Sequence, residues 1–496
     1  MNVSSLLKRT AGRYPSKTAI VEGKRKISYK RLWQEIESLS NAFRSIGIMK
    51  NTKVAILLPN CKEFIYSFFA LLNINAIAVP LKPDMTCWEL AGILKNCTPK
   101  VVILTPNLLN KILTDTPSLL GNRIIIVKEE KVEIPILDKD GYLENARVCT
   151  LDDLREMGKK ENPVKRKKYT YSKHVASINY TYRGHGYPLG AVHSHTNYIH
   201  GAVRYIKFFN ITFDTTMLLI LPIYHIFALI GCTIAPLIAG ANVVIEKWKS
   251  PRKILPCIEK YSINILTCIP RLYYLLLKEF DRNNYNLSSL SFGISGGESI
   301  SPALITEIKN KMKINILNGY GLTECMPVIG NPPIYGNGKG IGIPGHDVRI
   351  KVVNERGIEC RPGEIGEIVV QCPSVMSEYY QAPNETSAVI KKGWFYTGDM
   401  GIVGRDGYVY FKGLKKDIAK IDGITVDIAE VRNRILSVKQ VEDVKVDVQE
   451  DDVLGHKIIA TVRLNKGSDA FTVKDLRRFL RKHLGFYKMP AELTVC

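Results

Sequence analysis

Short apolar runs recur along the first part of the chain at spacings that leave room for a helix between them. Val54 to Leu58, Ala76 to Pro80, Val101 to Leu104 and Arg123 to Val127 read as buried strands. Pro59-Asn60 reads as a turn and Glu63 to Leu72 as a helix, so the first two strands close a strand–helix–strand unit. Continued alternation of this kind predicts parallel sheets covered by helices. Val175 to Ile178 is a further buried strand, and Tyr198, Ala202, Tyr205, Ile206 and Phe209 fall on one face of a helix. Leu290 to Ile294 and Ile314 to Leu317 are two more strands, and Gly363 to Val370 alternates as strands do. Near Lys412 the character changes to a compact α+β pattern. A helix from Ile428 to Val438, strands at Val444 to Val448 and Lys457 to Leu464, and a helix from Thr472 to Leu484 make it up. The fold class expected is α/β: a large N-terminal domain of layered sheets and helices over residues 1–412, and a small, shortened α+β domain over 413–496.

Met217 to Ile245 carries no Asp, Glu, Lys or Arg, which is long enough to cross a bilayer. Pro222, His225, Pro236 and Gly240 interrupt it, so it is expected to be core and the chain to have no transmembrane segment. The composition, 46% hydrophobic and 23% charged over 496 residues, is that of a folded protein with ample core. The formal charge of +22 changes the picture only locally, because Lys159, Lys160, Lys165, Arg166, Lys167 and Lys168 bunch together as a solvated linker. No nucleic-acid motif accompanies them, so no nucleic-acid partner is expected, while peripheral membrane contact stays open. Eleven cysteines without a Cys-x-x-Cys spacing point to a reducing, cytoplasmic setting and away from a zinc site or disulfide scaffold.

The candidate chemistry centres on Asn179 to Asn197, where strand, glycine loop and helix follow one another. Gly184, Gly186 and Gly190 would let the backbone turn tightly and aim N–H groups at an anion, with the following helix N-terminus adding partial positive charge. An ordinary glycine-bearing turn is the other reading of the loop alone. The strands at Leu290 and Ile314 end in Ser295-Gly-Gly-Glu298 and Asn318-Gly-Tyr-Gly-Leu-Thr-Glu324. Glycine-rich turns at the C-terminal ends of such strands are where open α/β sheets bind nucleotides.

Five blocks occur in order: Tyr180-Thr-Tyr-Arg-Gly-His-Gly-Tyr-Pro-Leu-Gly190, Leu221-Pro-Ile-Tyr-His225, Asn318 to Glu324, Gly393-Trp-Phe-Tyr-Thr-Gly-Asp399 and Gly413-Leu-Lys-Lys-Asp417. Together they resemble the adenylate-forming (AMP-binding) superfamily of acyl-CoA synthetases and 4-coumarate-CoA ligase-like enzymes. The resemblance implies an AMP-forming ligase that activates a small-molecule carboxylate, a fatty or aryl acid, as an acyl-adenylate. The acyl group then passes to CoA or to the phosphopantetheine of an acyl carrier protein. ATP/AMP and Mg2+ are the implied cofactors. Thr181, Arg183, Gly184 and Gly186 would hold phosphate; Gly296, Gly297, Asn318, Gly319 and Tyr320 would flank the adenine. Thr323 would bond a phosphate oxygen, Glu324 would hold the metal, and Asp399 would accept both ribose hydroxyls. His225 would border the carboxylate and the thiol tunnel. Lys416 falls on the hinge about which the small domain turns, and Gly423 on the loop that faces that tunnel.

Three departures qualify the resemblance. Tyr182, Arg183, Gly184, His185 and Leu189 stand where the family has Ser, Gly, Thr, Thr and Lys, making the phosphate loop degenerate. Leu414 replaces a hinge arginine. The family's C-terminal catalytic lysine segment would lie beyond the Tyr487-Lys-Met-Pro490 block, and Lys488 does not align with it. These losses leave open a second reading, an impaired relative that binds nucleotide or acyl thioester as a non-catalytic subunit, although Arg183 and His185 could restore phosphate contacts.

Overall fold

The structure is a computed structural model that describes residues 2–121, 123–128, 148–161, 173–182, 187–246, 250–283, 285–334, 339–414, 418–421, 424–451, 455–465, 467–468 and 470–495. Among these, a seven-stranded and a nine-stranded sheet form the body. In the first, Lys53–Leu57 pairs in parallel with both Ile77–Pro80 and Val101–Leu104, which in turn pairs with Ile124–Val127. Every residue of the Ile77–Pro80 and Val101–Leu104 strands is buried, as runs covered by helices on both faces should be. In the nine-stranded sheet, Ile265–Cys268, Phe292–Ser295 and Ile316–Leu322 lie side by side in parallel, with Ser295 opposite Asn318. A third, antiparallel sheet contains Arg349–Val353, Gly366–Gln371, Trp394–Val403 and Val409–Leu414.

The stretch from Met217 to Ile245 is core, as expected. A strand at Thr216–Leu219, a run of short helical segments from Ile226 to Ala239 and a strand at Asn242–Ile245 divide it. No described helix is long and apolar enough to cross a membrane.

Three local expectations are corrected. The helix does not leave the glycine loop directly. Val175–Thr181 and Leu189–Ser194 form an antiparallel hairpin whose tip is the loop, and the His195–Phe208 helix starts only after the second strand. Ser194 caps that helix, accepting from the Asn197 N–H in a reciprocal capping box, so its N-terminus is already satisfied locally. Gly190 is likewise not a turn residue. It sits in the second strand, where a Cβ would come within 2.6 Å of the Ile178 side chain, so it is a packing glycine. The Ile314 strand also runs on, through the glycines to Leu322, because Cys325–Gly330 folds back and pairs with it.

The antiparallel sheet ends at Leu414, and the next strand begins at Ile418. From there the chain builds its own apolar core. Val431 and Ile435 of the Ile428–Leu436 helix and Leu476 and Leu480 of the Val473–His483 helix pack on the Val441–Asp451, Gly455–Leu464 and Glu492–Val495 sheet.

Candidate functional site

The ends of the two central strands carry the predicted glycines to one place. A Cβ on Gly296 would lie 2.9 Å from the Phe227 ring and 3.0 Å from the Gly319 carbonyl, so only glycine fits between them. Gly297, at φ +87°, holds a left-handed backbone conformation that also calls for glycine. Beside them the Ser295 hydroxyl is buried without a hydrogen-bond partner among the described residues. Asn318 donates from Nδ2 to the Gly340 carbonyl at 2.8 Å.

Tyr320 and Asp399 come from different sheets and meet here. The Tyr320 hydroxyl donates to Asp399 Oδ2 at 2.6 Å, and Asp399 is buried in the Trp394–Val403 strand. Leu414 lies directly opposite Asp399 in the strand register, which puts the start of the hinge block beside this carboxylate.

Thr323 and Glu324 form the turn of the Ile316–Gly330 hairpin, and three groups from outside it hold the turn. His193, fully buried, donates from Nε2 to the Thr323 carbonyl at 2.7 Å. Burial pushes its pKa down to about 4, so the ring is neutral and the Nε2–H is fixed as the donor. The Met376 N–H reaches the Glu324 carbonyl at 2.7 Å. The Tyr379 hydroxyl donates to Glu324 Oε1, also at 2.7 Å. The glycine hairpin is tied to the same support, because the Tyr380 N–H donates to the Gly190 carbonyl and Ala191 pairs with Tyr379.

His225 is half-buried against Tyr224, with ring centres 4.8 Å apart. Desolvation, reinforced by the nearby Lys82 charge, pushes its pKa down to about 4, so it too is neutral. Phe227, two residues on, touches the Gly296 position, which brings the Leu221 to His225 block next to the glycine-lined end of the sheet. Thr181 ends the first hairpin strand opposite Leu189. Arg183, Gly184, Gly186, Lys416 and Gly423 lie outside the described residues.

The family model for the AMP-binding enzyme matches residues 7–380. The chain belongs to the AMP-binding enzyme family. A long-chain-fatty-acid–CoA ligase of Bacillus subtilis is 28% identical across 98% of this chain and 90% of its own length. An indoleacetate–CoA ligase of Aromatoleum aromaticum is 27% identical across 100% and 94%. The fold matches o-succinylbenzoate CoA synthetase from Bacillus subtilis, with a TM-score of 0.83 at 22% identity over 99% of this chain and 94% of that one. It also matches the amide bond synthetase McbA from Marinactinospora thermotolerans, with a TM-score of 0.84 at 20% identity over 100% and 96%.

This AMP-binding enzyme uses ATP and a CoA-type thiol, and its donor set fits the Mg2+ that such an enzyme implies. Among the described residues no three His, Cys, Asp or Glu side chains cluster as a metal cage. Glu324 beside Thr323 is instead a single carboxylate next to a hydroxyl, and Mg2+ is ordinarily bound through one or two carboxylates together with substrate phosphates and water.

One cluster was not anticipated from the sequence. Lys488, fully buried, donates to Glu89 at 2.7 Å and to Glu430 at 2.9 Å. Glu89 belongs to the Cys87–Cys97 helix of the large body and Glu430 to the Ile428–Leu436 helix of the small one, so one ammonium ties the two parts together. Its charge also lies 3.6 Å from the ring centre of Tyr182, in the glycine loop. Arg434 covers Trp88 at 3.7 Å nearby. Burial pushes the Glu430 carboxyl up to about 7, against the pull of Lys488. The Tyr487-Lys-Met-Pro490 block had marked the place, but nothing in sequence spacing pairs residues 399 positions apart. Tyr182 also walls a cavity of about 240 Å3, which Trp88, Tyr180, Tyr187 and Glu385 line from the other sides.

Proposed function

We propose that this AMP-forming acid–thiol ligase activates a fatty or aryl carboxylate as its acyl-adenylate, with the nucleotide lying across the sheet ends from Gly297 to Asp399. The observation that carries the placement is the Tyr320–Asp399 hydrogen bond, which brings the Trp394–Val403 strand against the strand that leads into the Thr323–Glu324 turn. Gly296, Gly297, Asn318, Gly319 and Tyr320 flank the adenine. Asp399 accepts the ribose hydroxyls, for which a carboxylate is the natural paired acceptor. Thr323 donates to a phosphate oxygen, and Thr181 with Arg183, Gly184 and Gly186 holds the remaining phosphates. Glu324 holds Mg2+, which when bound neutralises charge as pyrophosphate leaves. His225, neutral in its apolar setting, borders the carboxylate and serves as a donor or acceptor there, not as a cation.

The division into 1–412 and 413–496, with Lys416 at the pivot, lets the small domain present a second face for thiol transfer. CoA is the acceptor favoured by the names of the relatives; a carrier-protein phosphopantetheine offers the same thiol. The absence of any Cys-x-x-Cys spacing among the eleven cysteines favours a cytoplasmic setting. The comparisons lend the non-catalytic reading no support.

The test is carboxylate-dependent exchange of labelled pyrophosphate into ATP over a panel of long-chain and aryl acids. Exchange above the acid-free background, with a clear preference within the panel, is expected. Absence of exchange with every acid, together with no calorimetric binding of ATP or AMP, would overturn the proposal.

A further inference from the structure

Two thiols stand together beneath the metal-side turn and have no part in the chemistry above. Cys325 follows Glu324 directly and opens the return strand of its hairpin. Cys372 follows the last residue of the Gly366–Gln371 strand, in the antiparallel sheet. The two sulfurs are 3.4 Å apart although 47 positions separate them in the chain. A disulfide needs about 2.05 Å, so roughly 1.4 Å of approach would join them.

Their surroundings divide the roles. Cys325 is fully buried, whereas Cys372 is partly exposed and can meet a small oxidant. The Cys372 sulfur lies 3.2 Å from the Ser374 hydroxyl, which in turn accepts from the buried Arg204 guanidinium at 2.8 Å. The hydrogen bond from Cys325, followed by the Arg204 charge, pulls the Cys372 thiol down to about 6, which favours it as the nucleophile.

We propose that Cys325 and Cys372 form an oxidation site: a peroxide closes them to a disulfide that ties the Glu324 turn to the antiparallel sheet and lowers adenylation. The thiolate sulfur of Cys372 attacks one peroxide oxygen and breaks the O–O bond, which leaves a sulfenic acid and, after protonation, water. The Cys325 sulfur then attacks the sulfenic sulfur, breaks its S–O bond and releases a second water. Two thiols are oxidised and one hydrogen peroxide is reduced to two waters, so the step balances.

The consequence for the site follows from the supports of the turn. Cys325 bridges Val375 through the backbone, and the next residue, Met376, donates to the Glu324 carbonyl. Drawing the Cys325 sulfur toward Cys372 strains this short segment, whose geometry orients the Glu324 carboxylate against Tyr379. Misplacement of a positioned group by about 1 Å can cost two orders of magnitude. The effect on adenylation rests on the nucleotide placement proposed above; formation of the bond does not.

The experiment treats the full chain with hydrogen peroxide, digests it under non-reducing conditions and maps the linked peptides by mass spectrometry. Pyrophosphate exchange and calorimetric Mg–ATP affinity are followed in parallel. A Cys325–Cys372 peptide, loss of two titratable thiols, and a fall of roughly tenfold or more in exchange that dithiothreitol reverses are expected. Cys372→Ser should keep the reduced activity and lose the response to peroxide; Cys325→Ala should lose the same linked peptide. No linked peptide, or linkage to other cysteines only, would overturn the site. Linkage with unchanged exchange and unchanged Mg–ATP affinity would overturn its coupling to the turn. Should the reduced chain show no exchange with any acid, the adenylation reading fails separately, while the peptide map and the affinity measurement still decide this one.

Discussion

The Lys488 ammonium stands 3.6 Å from the ring centre of Tyr182, so the residue that replaces a phosphate-loop serine of the family packs on a cation from the C-terminal part of the chain. The lost hydroxyl and the gained contact belong to one change. With Glu89 and Glu430 each within hydrogen-bond distance, Lys488 is a buried ion bridge across the two domains. Removing one partner of a buried bridge leaves uncompensated charge, which typically costs 3–5 kcal/mol. Lys488→Met should therefore lower stability by about 3–5 kcal/mol in urea titration, with the loss concentrated in the C-terminal domain. Tyr182→Phe should be near neutral, because the Tyr182 hydroxyl is buried with no partner among the described residues. Tyr182→Ser should weaken the contact by about 1–2 kcal/mol.

The same bridge predicts a pH dependence. Glu430 titrates near 7 in the folded chain, where burial is the main cause and Lys488, Glu89, Asp427 and Arg434 are charges that face it. An unfolded glutamate titrates near about 4.3. A carboxyl raised on folding favours the folded state while protonated. That contribution is complete below the unfolded value and is lost as pH rises through 7. Stability of the wild type should thus fall between about pH 5 and pH 8, by an amount of the order of 2–3 kcal/mol. Glu430→Gln should flatten the slope over that interval. An identical slope in the two proteins, measured by chemical denaturation across the range, would remove Glu430 as its source.

The parts legible in the sequence are those encoded over short distances. The buried strands at 53–57, 77–80 and 101–104 are continuous apolar runs, and the pattern places them to within a residue or so. The glycines at 296 and 297 also announce themselves, since one is wedged against Phe227 and the other has a positive φ. The glycine hairpin is not legible in the sequence because its return strand, Leu189–Ser194, is short and contains Gly190, His193 and Ser194. Its identity as a strand comes from pairing with Val175–Thr181 and with the 377–380 segment, which is tertiary information. His193 and Tyr379 are hidden from the sequence for the same reason. Each acts through one hydrogen bond to a turn more than 50 positions away.

His193 offers a direct test of how the Thr323–Glu324 turn is held. Its Nε2–H is the donor to the Thr323 carbonyl, and an apolar replacement would leave that buried acceptor short of a partner, at a cost of about 1–3 kcal/mol. His193→Leu should lower the efficiency of pyrophosphate exchange with respect to Mg–ATP by roughly tenfold or more. His193→Gln, which keeps a donor, should recover part of it. Neither His193 nor His225 should contribute an ionisation near 6.5 to the pH profile, because both are held near 4 by burial. A wild-type profile whose limb near 6.5 disappears in either histidine variant would contradict that assignment.

In the nucleotide placement proposed above, Glu324 and Asp399 would divide the metal and ribose functions. Asp399 is buried with Tyr320 donating to one oxygen at 2.6 Å, so the other oxygen is the one that can turn to a ribose hydroxyl. Charge-assisted hydrogen bonds of this kind contribute about 1.5–3 kcal/mol each. Asp399→Asn should therefore weaken AMP and ATP alike, by roughly tenfold to a hundredfold, with or without magnesium. Glu324→Gln removes the carboxylate charge while keeping the shape of the side chain and an oxygen for the Tyr379 hydroxyl. It should leave AMP affinity close to wild type, raise the magnesium concentration needed for exchange, and slow exchange by about two orders of magnitude. Calorimetry of AMP and of ATP with graded magnesium distinguishes the two variants. If Glu324→Gln weakened AMP as strongly as Asp399→Asn does, the carboxylate would be acting on the nucleoside and not on the metal.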